Sequence, residues 1–389
     1  MPGERDMRRL CFPFIGDSFG GSHISSLLLI RRLLDEGYEV TVAIHQSDIL
    51  ARECDNQGIE YCVLDLPTAV GRSSTLLSVV RDFMSTFFEI WHFLGSTPRP
   101  EIVHTNDMRT HLFWTIPAWV RGIPAIWHQR TLFPDSRLAR LTGRCVSRCI
   151  ALSFVVQRSL PTRMRDRSIV IPNPVRLSEP DGADLAEARR VVMGTISKEI
   201  NADGLTIIGL FGALRDLKRP LVFVDAIAAL VESWEKNVVG LMFGKDMEGM
   251  GQKILDHAKA QKLENRIYLM GFQNPIDRYI SVCDVLVSTS VGDAFGRTLI
   301  EGMSLGVPVV AVNAGGHSEI VRDGVDGILA QPDKPESVAL AMHAVLDNPE
   351  FRESLIVAGR QAAKTKFSIE GHTSRMIEIY HELIYSPSQ

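Results

Sequence analysis

Lysine does not occur in the first 180 of the 389 residues. That stretch carries 21 arginines against 18 acids, whereas the whole chain has a net charge of −4, so the first 180 residues are net +3 and the remainder is −7. Eleven of these arginines fall within Arg121–Arg176, against only Asp135 and Asp166, which predicts a strongly positive surface. No nucleic-acid partner is expected. The six cysteines contain no CxxC pair, which excludes the common zinc and dithiol patterns and leaves reduced thiols as the simplest reading. Apolar runs never reach the roughly 18 uninterrupted residues of a membrane-spanning helix. The polar Met1–Arg9 leads straight into an apolar run, without the pattern of a secretory signal, so a cytoplasmic protein is expected. An Asp-x-Asp triplet is missing as well.

What is present is a rhythm. Short apolar runs such as "RLCFPFI", "YEVTVAI", "PEIVHTN" and "PAIWHQR" alternate with amphipathic stretches such as "HISSLLLIRRLLDEG". Strand, turn, helix and strand in that order build a parallel sheet covered by helices. A segment rich in Pro, Asp, Gly and Ala interrupts the rhythm near residues 173–204 and is expected to be the interdomain connection, with a short helix inside it. It then restarts with "LTIIGLFG", "VVGLMFG", "RIYLMGF", "DVLVSTS", "PVVAVN" and "GILAQP", and the chain closes on the amphipathic "HTSRMIEIYHELIYS". The length exceeds what one hydrophobic core usually serves. Two doubly wound α/β domains are therefore expected, facing each other across a cleft, with a ligand at the carboxyl ends of the strands.

The stretch "GDAFGRTLIEGMSLGVPVVA" places Asp293 and Glu301 eight positions apart around a helix start that follows the strand "DVLVSTS". Backbone N–H groups of Phe295, Gly296 and Arg297 at such a start suit phosphate oxygens. Carboxylates do not, so the two acids must address neutral donors, and a vicinal diol matches the two oxygens of a carboxylate. A ligand with diols at both ends and a diphosphate between them is a nucleotide sugar. The competing reading makes Asp293 a plain helix cap.

The block "DAFGRTLIEGMSLGVPVVAVNAGGHSEIV", with "LMGFQNPIDRYISVCDVLVSTS" before it and "DGVDGILAQPDKPESVALAMHAVL" after it, resembles the retaining GT-B glycosyltransferases of family 4, also called group 1. The likeness is strong over about 205–383 and weaker from Leu10 to Pro174. The family's Glu-x7-Glu motif reads Asp-x7-Glu here. The resemblance implies that Glu301 binds the nucleotide ribose, that Asp293 contacts hydroxyls of the transferred sugar, and that Lys218 in "GALRDLKRP" neutralises the diphosphate. Where relatives often carry Arg after the first glycine of that motif, this chain has Ala213, and Arg215 is the candidate replacement. Gly20–Gly21 resembles the family's N-terminal glycine loop, and His128 stands where relatives have a histidine near the donor sugar. His23 and His104 are weaker candidates, and a core role for His128 stays open.

The resemblance further implies an acceptor-binding domain over 1–174, a linker over 175–203, a nucleotide-sugar-binding domain over 204–371, and a helix over 372–389 that crosses back to the first domain. It implies transfer with retention from a nucleotide-diphosphate sugar, a UDP-sugar by default, with no metal and no cofactor. The arginine-rich segment suggests an anionic or lipid-linked acceptor and peripheral contact with the inner face of a membrane; an ordinary solvated face is the alternative. Two other functions stay open: a sugar-nucleotide epimerase of the same fold, and a non-catalytic accessory subunit.

Overall fold

The computed structural model describes residues 8–67, 76–96, 98–176, 180–196, 200–201, 203–234 and 236–385, with side chains from residue 84 onward in the helix Leu76–Phe93. The chain divides into two compact units, one formed by Met1–Pro174 together with Ile369–Gln389, the other by Val175–Ser368.

The first unit is built on a parallel sheet of seven strands: β1 (Arg9–Phe14), β2 (Glu39–Ile44), β3 (Tyr61–Val63), β4 (Ile102–Thr105), β5 (Ala125–Gln129), β6 (Arg148–Ala151) and β7 (Ser168–Val170). Their order is β3-β2-β1-β4-β5-β6-β7. The second has six: β8 (Thr206–Phe211), β9 (Val238–Phe243), β10 (Ile267–Gly271), β11 (Val285–Ser288), β12 (Val309–Val312) and β13 (Ile328–Ala330), ordered β10-β9-β8-β11-β12-β13. Helices cover both faces of each sheet, which is why the central strands read as unbroken apolar runs; all residues of β4, β5, β9 and β12 are buried. In both sheets the chain reverses direction of winding beside the first strand, between β1 and β4 and between β8 and β11. Loops leaving the strands at such a reversal splay apart and open a ligand crevice.

Residues 175–203, expected as a linker with a short helix inside it, contain the 14-residue helix Gly182–Thr195. Asp181 caps it through the N–H of Asp184 at 2.8 Å, and Ala188 and Val192, one turn apart, are buried. That short apolar stripe packs on the helix Asp277–Ile280, so the segment is part of the second unit. The last helix, Ile369–Tyr385, starts earlier than 372 and belongs to the first unit, where Met376, Ile379, Tyr380 and Leu383 join the cluster of Leu27, Ile30 and Leu33. Between β5 and β6 lies a six-residue helix, Arg137–Thr142, followed by a tighter turn.

Candidate active site

In the second unit the loops after β8, β11 and β12 converge. The turn Asp216–Lys218 is pinned from below: the Thr289 hydroxyl donates to the Lys218 carbonyl at 2.8 Å, and that of Ser290 to the Leu217 carbonyl at 3.1 Å. This delivers Lys218 to Asp293, with Nζ 2.7 and 2.6 Å from the two carboxylate oxygens. His317, fully buried, completes the group from the loop after β12. Its Nδ1–H donates to the Val312 carbonyl at 3.0 Å, which turns Nε2 toward the Ser288 hydroxyl at 3.2 Å and Asp293 at 3.5 Å. Burial pushes the Asp293 carboxyl up, but the His317 hydrogen bond and the Lys218 charge outweigh it and hold the group well below the usual carboxylate range.

Helix capping is excluded for Asp293. The helix Arg297–Leu305 has Gly296 as its N-cap, at φ 107°, with no side-chain cap bond. A side chain at 296 would meet the His317 ring at 2.9 Å, so glycine is needed there for backbone and for space. Glycine is required again at Gly315, at φ 57°, where a Cβ would stand 2.4 Å from the Asp293 carbonyl. The Gly316 N–H donates to that same carbonyl at 2.8 Å, which fixes the loop carrying the acid.

Glu301 lies one turn into the helix, and its Oε1 accepts from Arg297 Nε at 2.6 Å; the two side chains are each 17% exposed. Burial raises the Glu301 carboxyl, with Arg297 offsetting only part of the shift. The Arg297 side chain thus serves Glu301. Phe295 is buried, its ring edge-on to Phe367 with centroids 5.9 Å apart, so only backbone at 295 and 296 can meet a ligand. Arg215 is exposed at the start of the 216–218 turn. Sequence reasoning singled out neither His317 nor the direct Lys218–Asp293 pairing. The "GGH" following β12 was the available signal, since it leaves a strand end beside the one that carries Asp293.

In the first unit Gly20 is the N-cap of the helix Gly21–Asp35 at φ −166°, an extended backbone any residue adopts, and a Cβ there would meet nothing within 4 Å. The loop is tied by Arg109, whose guanidinium donates to both Asp17 oxygens at 2.6 and 2.8 Å. His128, at the end of β5, is fully buried in a polar cluster with His104, Arg130 and His372. Burial, reinforced by Arg130, pushes its pKa far down, so the ring is neutral. His23 is half-buried, and burial lowers it too. Among the described residues no group of three or more His, Cys, Asp or Glu stands together that could hold a metal ion, and no helix is long and apolar enough to cross a membrane.

Residues 194–362 match the family pattern of Glycosyl transferases group 1, and residues 19–179 match that of Glycosyltransferase Family 4. The UDP-Gal:alpha-D-GlcNAc-diphosphoundecaprenol alpha-1,3-galactosyltransferase of Escherichia coli is 24% identical over 286 residues, covering 70% of this chain and 72% of that one. The fold matches HepE of Anabaena, solved with UDP and glucose, at a TM-score of 0.79 and 18% identity, over 96% of this chain and 99% of that one. It also matches sucrose-phosphate synthase of Thermosynechococcus elongatus at 0.75 and 18%, over 97% and 100%. The two family patterns adjoin the short connecting stretch from either side and together take in both units, so the chain belongs to the group 1 glycosyltransferases of family 4, retaining nucleotide-sugar-dependent enzymes of GT-B fold.

Proposed function

We propose that the converging loops of the second unit hold the donor, a UDP-sugar, and that the first unit receives an anionic, lipid-linked acceptor at a membrane surface. The observation that carries the donor assignment is the ionised, half-buried Asp293 held between Lys218 and His317 at the sheet reversal, where no helix needs its charge. Glu301 offers its second oxygen to a ribose diol while Arg297 anchors the first. Lys218 exchanges the Asp293 carboxylate for the β-phosphate as the donor binds; that exchange neutralises the leaving diphosphate and frees Asp293 for sugar hydroxyls. The backbone at Phe295 and Gly296 faces the phosphates. Arg215, exposed beside Lys218, supplies the second positive charge. His128 meets the transferred sugar. UDP as the carrier is supported by the name of the E. coli relative and by the UDP held in HepE.

For the acceptor, support comes from the surface of the first unit. Of the eleven arginines within Arg121–Arg176, Arg130 is buried, and Arg121 and Arg148 are partly covered, but Arg137, Arg144, Arg158 and Arg163 are exposed. Trp119, Leu138 and Leu141 are exposed on two helices, Met108–Val120 and Arg137–Thr142, that pack together. Exposed apolar side chains interleaved with arginines suit an anionic lipid interface. The name of the E. coli relative, which carries a diphosphoundecaprenol acceptor, points the same way.

The test is a panel of labelled nucleotide sugars with polyprenyl-diphosphate sugars and soluble sugars as acceptors. Release of UDP tied to transfer onto the lipid acceptor is expected. Sugar release or isomerisation without any acceptor would instead favour the epimerase reading.

A further inference from the structure

In the first unit, the loop that leaves β5 and the two short helices Phe154–Ser159 and Thr162–Arg165, between β6 and β7, border a cavity of about 460 Å³. That lies within the range of small-molecule sites, about 300–1,000 Å³. Ser159 ties its two sides together: the hydroxyl accepts from the Phe133 N–H at 2.9 Å and donates to the Val156 carbonyl at 2.6 Å. Pro134 and Pro161 line the same walls and fix their own φ, so the shape of the cavity is set before a ligand enters.

Three arginines line it, Arg140, Arg158 and Arg165, against one acid, Asp135, which leaves the lining at net +2. Arg165 Nη2 donates to the Leu160 carbonyl at 3.1 Å, and that bond rests one guanidinium on the wall. Asp135 accepts from Arg140 at 2.8 Å, but the acid is 94% exposed and the arginine 60%, so water screens the pair and an incoming anion can replace it. A phosphomonoester carries up to two negative charges at neutral pH and a diphosphate diester carries two, whereas a carboxylate or a phosphodiester carries one. Guanidinium forks suit phosphate oxygens, and only a dianion balances this lining. Phe154, 55% exposed, stands one turn before Arg158 on the same face of its helix. An exposed aromatic side chain beside an anion site suits a phosphate presented at a lipid surface.

We propose that this cavity is a binding site for a doubly charged phosphate group carried by a lipid, held by Arg140, Arg158 and Arg165. The site deepens the reading of the first unit as the part that receives an anionic, lipid-linked acceptor, and rests on that reading only for the identity of the lipid. Exposed arginines attract any anionic membrane; this cavity separates a doubly charged head group from a singly charged one at equal surface charge.

Vesicles make the distinction. Full-length protein, with saturating UDP to fill the donor loops, is sedimented with neutral-lipid vesicles containing either phosphatidate, a phosphomonoester, or phosphatidylglycerol, a phosphodiester, at equal surface charge. Binding to phosphatidate is expected to be about tenfold tighter, the scale of one charge-assisted hydrogen bond. Arg140→Gln with Arg158→Gln should remove that preference and still melt with wild type, because both side chains are exposed. Asp135→Asn, which removes the competing carboxylate, should enlarge it. Arg137→Glu with Arg144→Glu and Leu141→Ser should weaken binding to both vesicles and leave the preference in place. Glycerol phosphate in solution should not displace the phosphatidate vesicles; displacement at low concentration would make a free phosphate the ligand and overturn the lipid part. No preference for phosphatidate, or one that survives in Arg140→Gln with Arg158→Gln, overturns the proposal. If sugar transfer to a lipid-linked acceptor persists beside that result, the cavity falls and the acceptor reading stands.

Discussion

Lys218 Nζ sits between both carboxylate oxygens of Asp293, at 2.7 and 2.6 Å, across 75 positions of sequence. Each side chain is less than one-fifth exposed, 19% for the lysine and 17% for the acid. Breaking such a pair from one side leaves a poorly solvated charge, at a typical cost of about 3–5 kcal/mol when fully buried. Lys218→Ala and Asp293→Asn should each destabilise by about 1–4 kcal/mol. The double variant should recover part of the loss without recovering turnover. Denaturant unfolding of all four proteins measures the coupling, and strictly additive losses would show that the two groups do not hold each other.

The two acids should separate in their response to ligand. Glu301→Gln should weaken binding of bare UDP by about 1.5–3 kcal/mol, the scale of one charge-assisted hydrogen bond. Asp293→Asn should leave that binding nearly intact or slightly tighter, because Lys218 is released, while turnover of the full nucleotide sugar falls. Calorimetry with UDP and initial rates with the donor distinguish these outcomes. Equal affinity losses in both variants would reject the division of roles.

Their pKa directions give opposite pH signatures. Asp293 is held below its ordinary value, so its contribution to stability is present above about pH 4, the unfolded value, and is lost as pH falls toward its lower folded one. Glu301 is raised, so its favourable contribution is complete below its unfolded value, near pH 4.3, and disappears as pH rises through the folded value. At pH 7 ligand-free Glu301→Gln should therefore match or exceed wild type in melting temperature, with the gap closing on acidification. Asp293→Asn should melt below wild type at pH 7 and approach it at low pH. A Glu301→Gln protein that melts well below wild type at pH 7 would contradict this.

The glycines differ in what they tolerate. Gly315→Ala places a Cβ against the Asp293 carbonyl in a left-handed backbone and should cost more than about 1 kcal/mol along with most activity. Gly20→Ala meets an extended backbone and open space, so it should fold like wild type. A loss of activity in that variant would come from crowding of a ligand. Melting curves beside donor kinetics separate the two effects.

Charge reversal on the first unit should depend on which arginine is chosen. Arg137→Glu with Arg144→Glu, combined with Leu141→Ser, should reduce binding to anionic vesicles while leaving the melting temperature unchanged. Arg148→Glu should instead disturb packing of the last helix, because Arg148 donates to Glu382 there at 2.8 Å. Vesicle co-sedimentation that is unaltered in the triple variant would reject the membrane-facing surface.

The sequence by itself determined the two wound sheets and the place of Asp293 and Glu301 on the loop and helix that follow β11. Apolar runs of strand length, separated by amphipathic stretches, leave a parallel sheet with helices on both faces as the arrangement that buries every run. Asp293 and Glu301 are bound to face the strand ends because they straddle the helix start that follows β11. Tertiary structure alone decided who meets whom. Asp293 pairs with a lysine 75 residues earlier and neighbours His317, contacts that depend on how three strand ends converge and that no local period encodes. The short helix expected in the connecting stretch is Gly182–Thr195; that it packs as part of the second unit was not legible, because only Ala188 and Val192 make its buried stripe. The surroundings of His128 lay furthest from reach: His104 Nε2 stands 3.3 Å from its Nδ1, and only the folded last helix brings the Tyr380 hydroxyl, from the far end of the chain, to the other side of His104 at 2.7 Å.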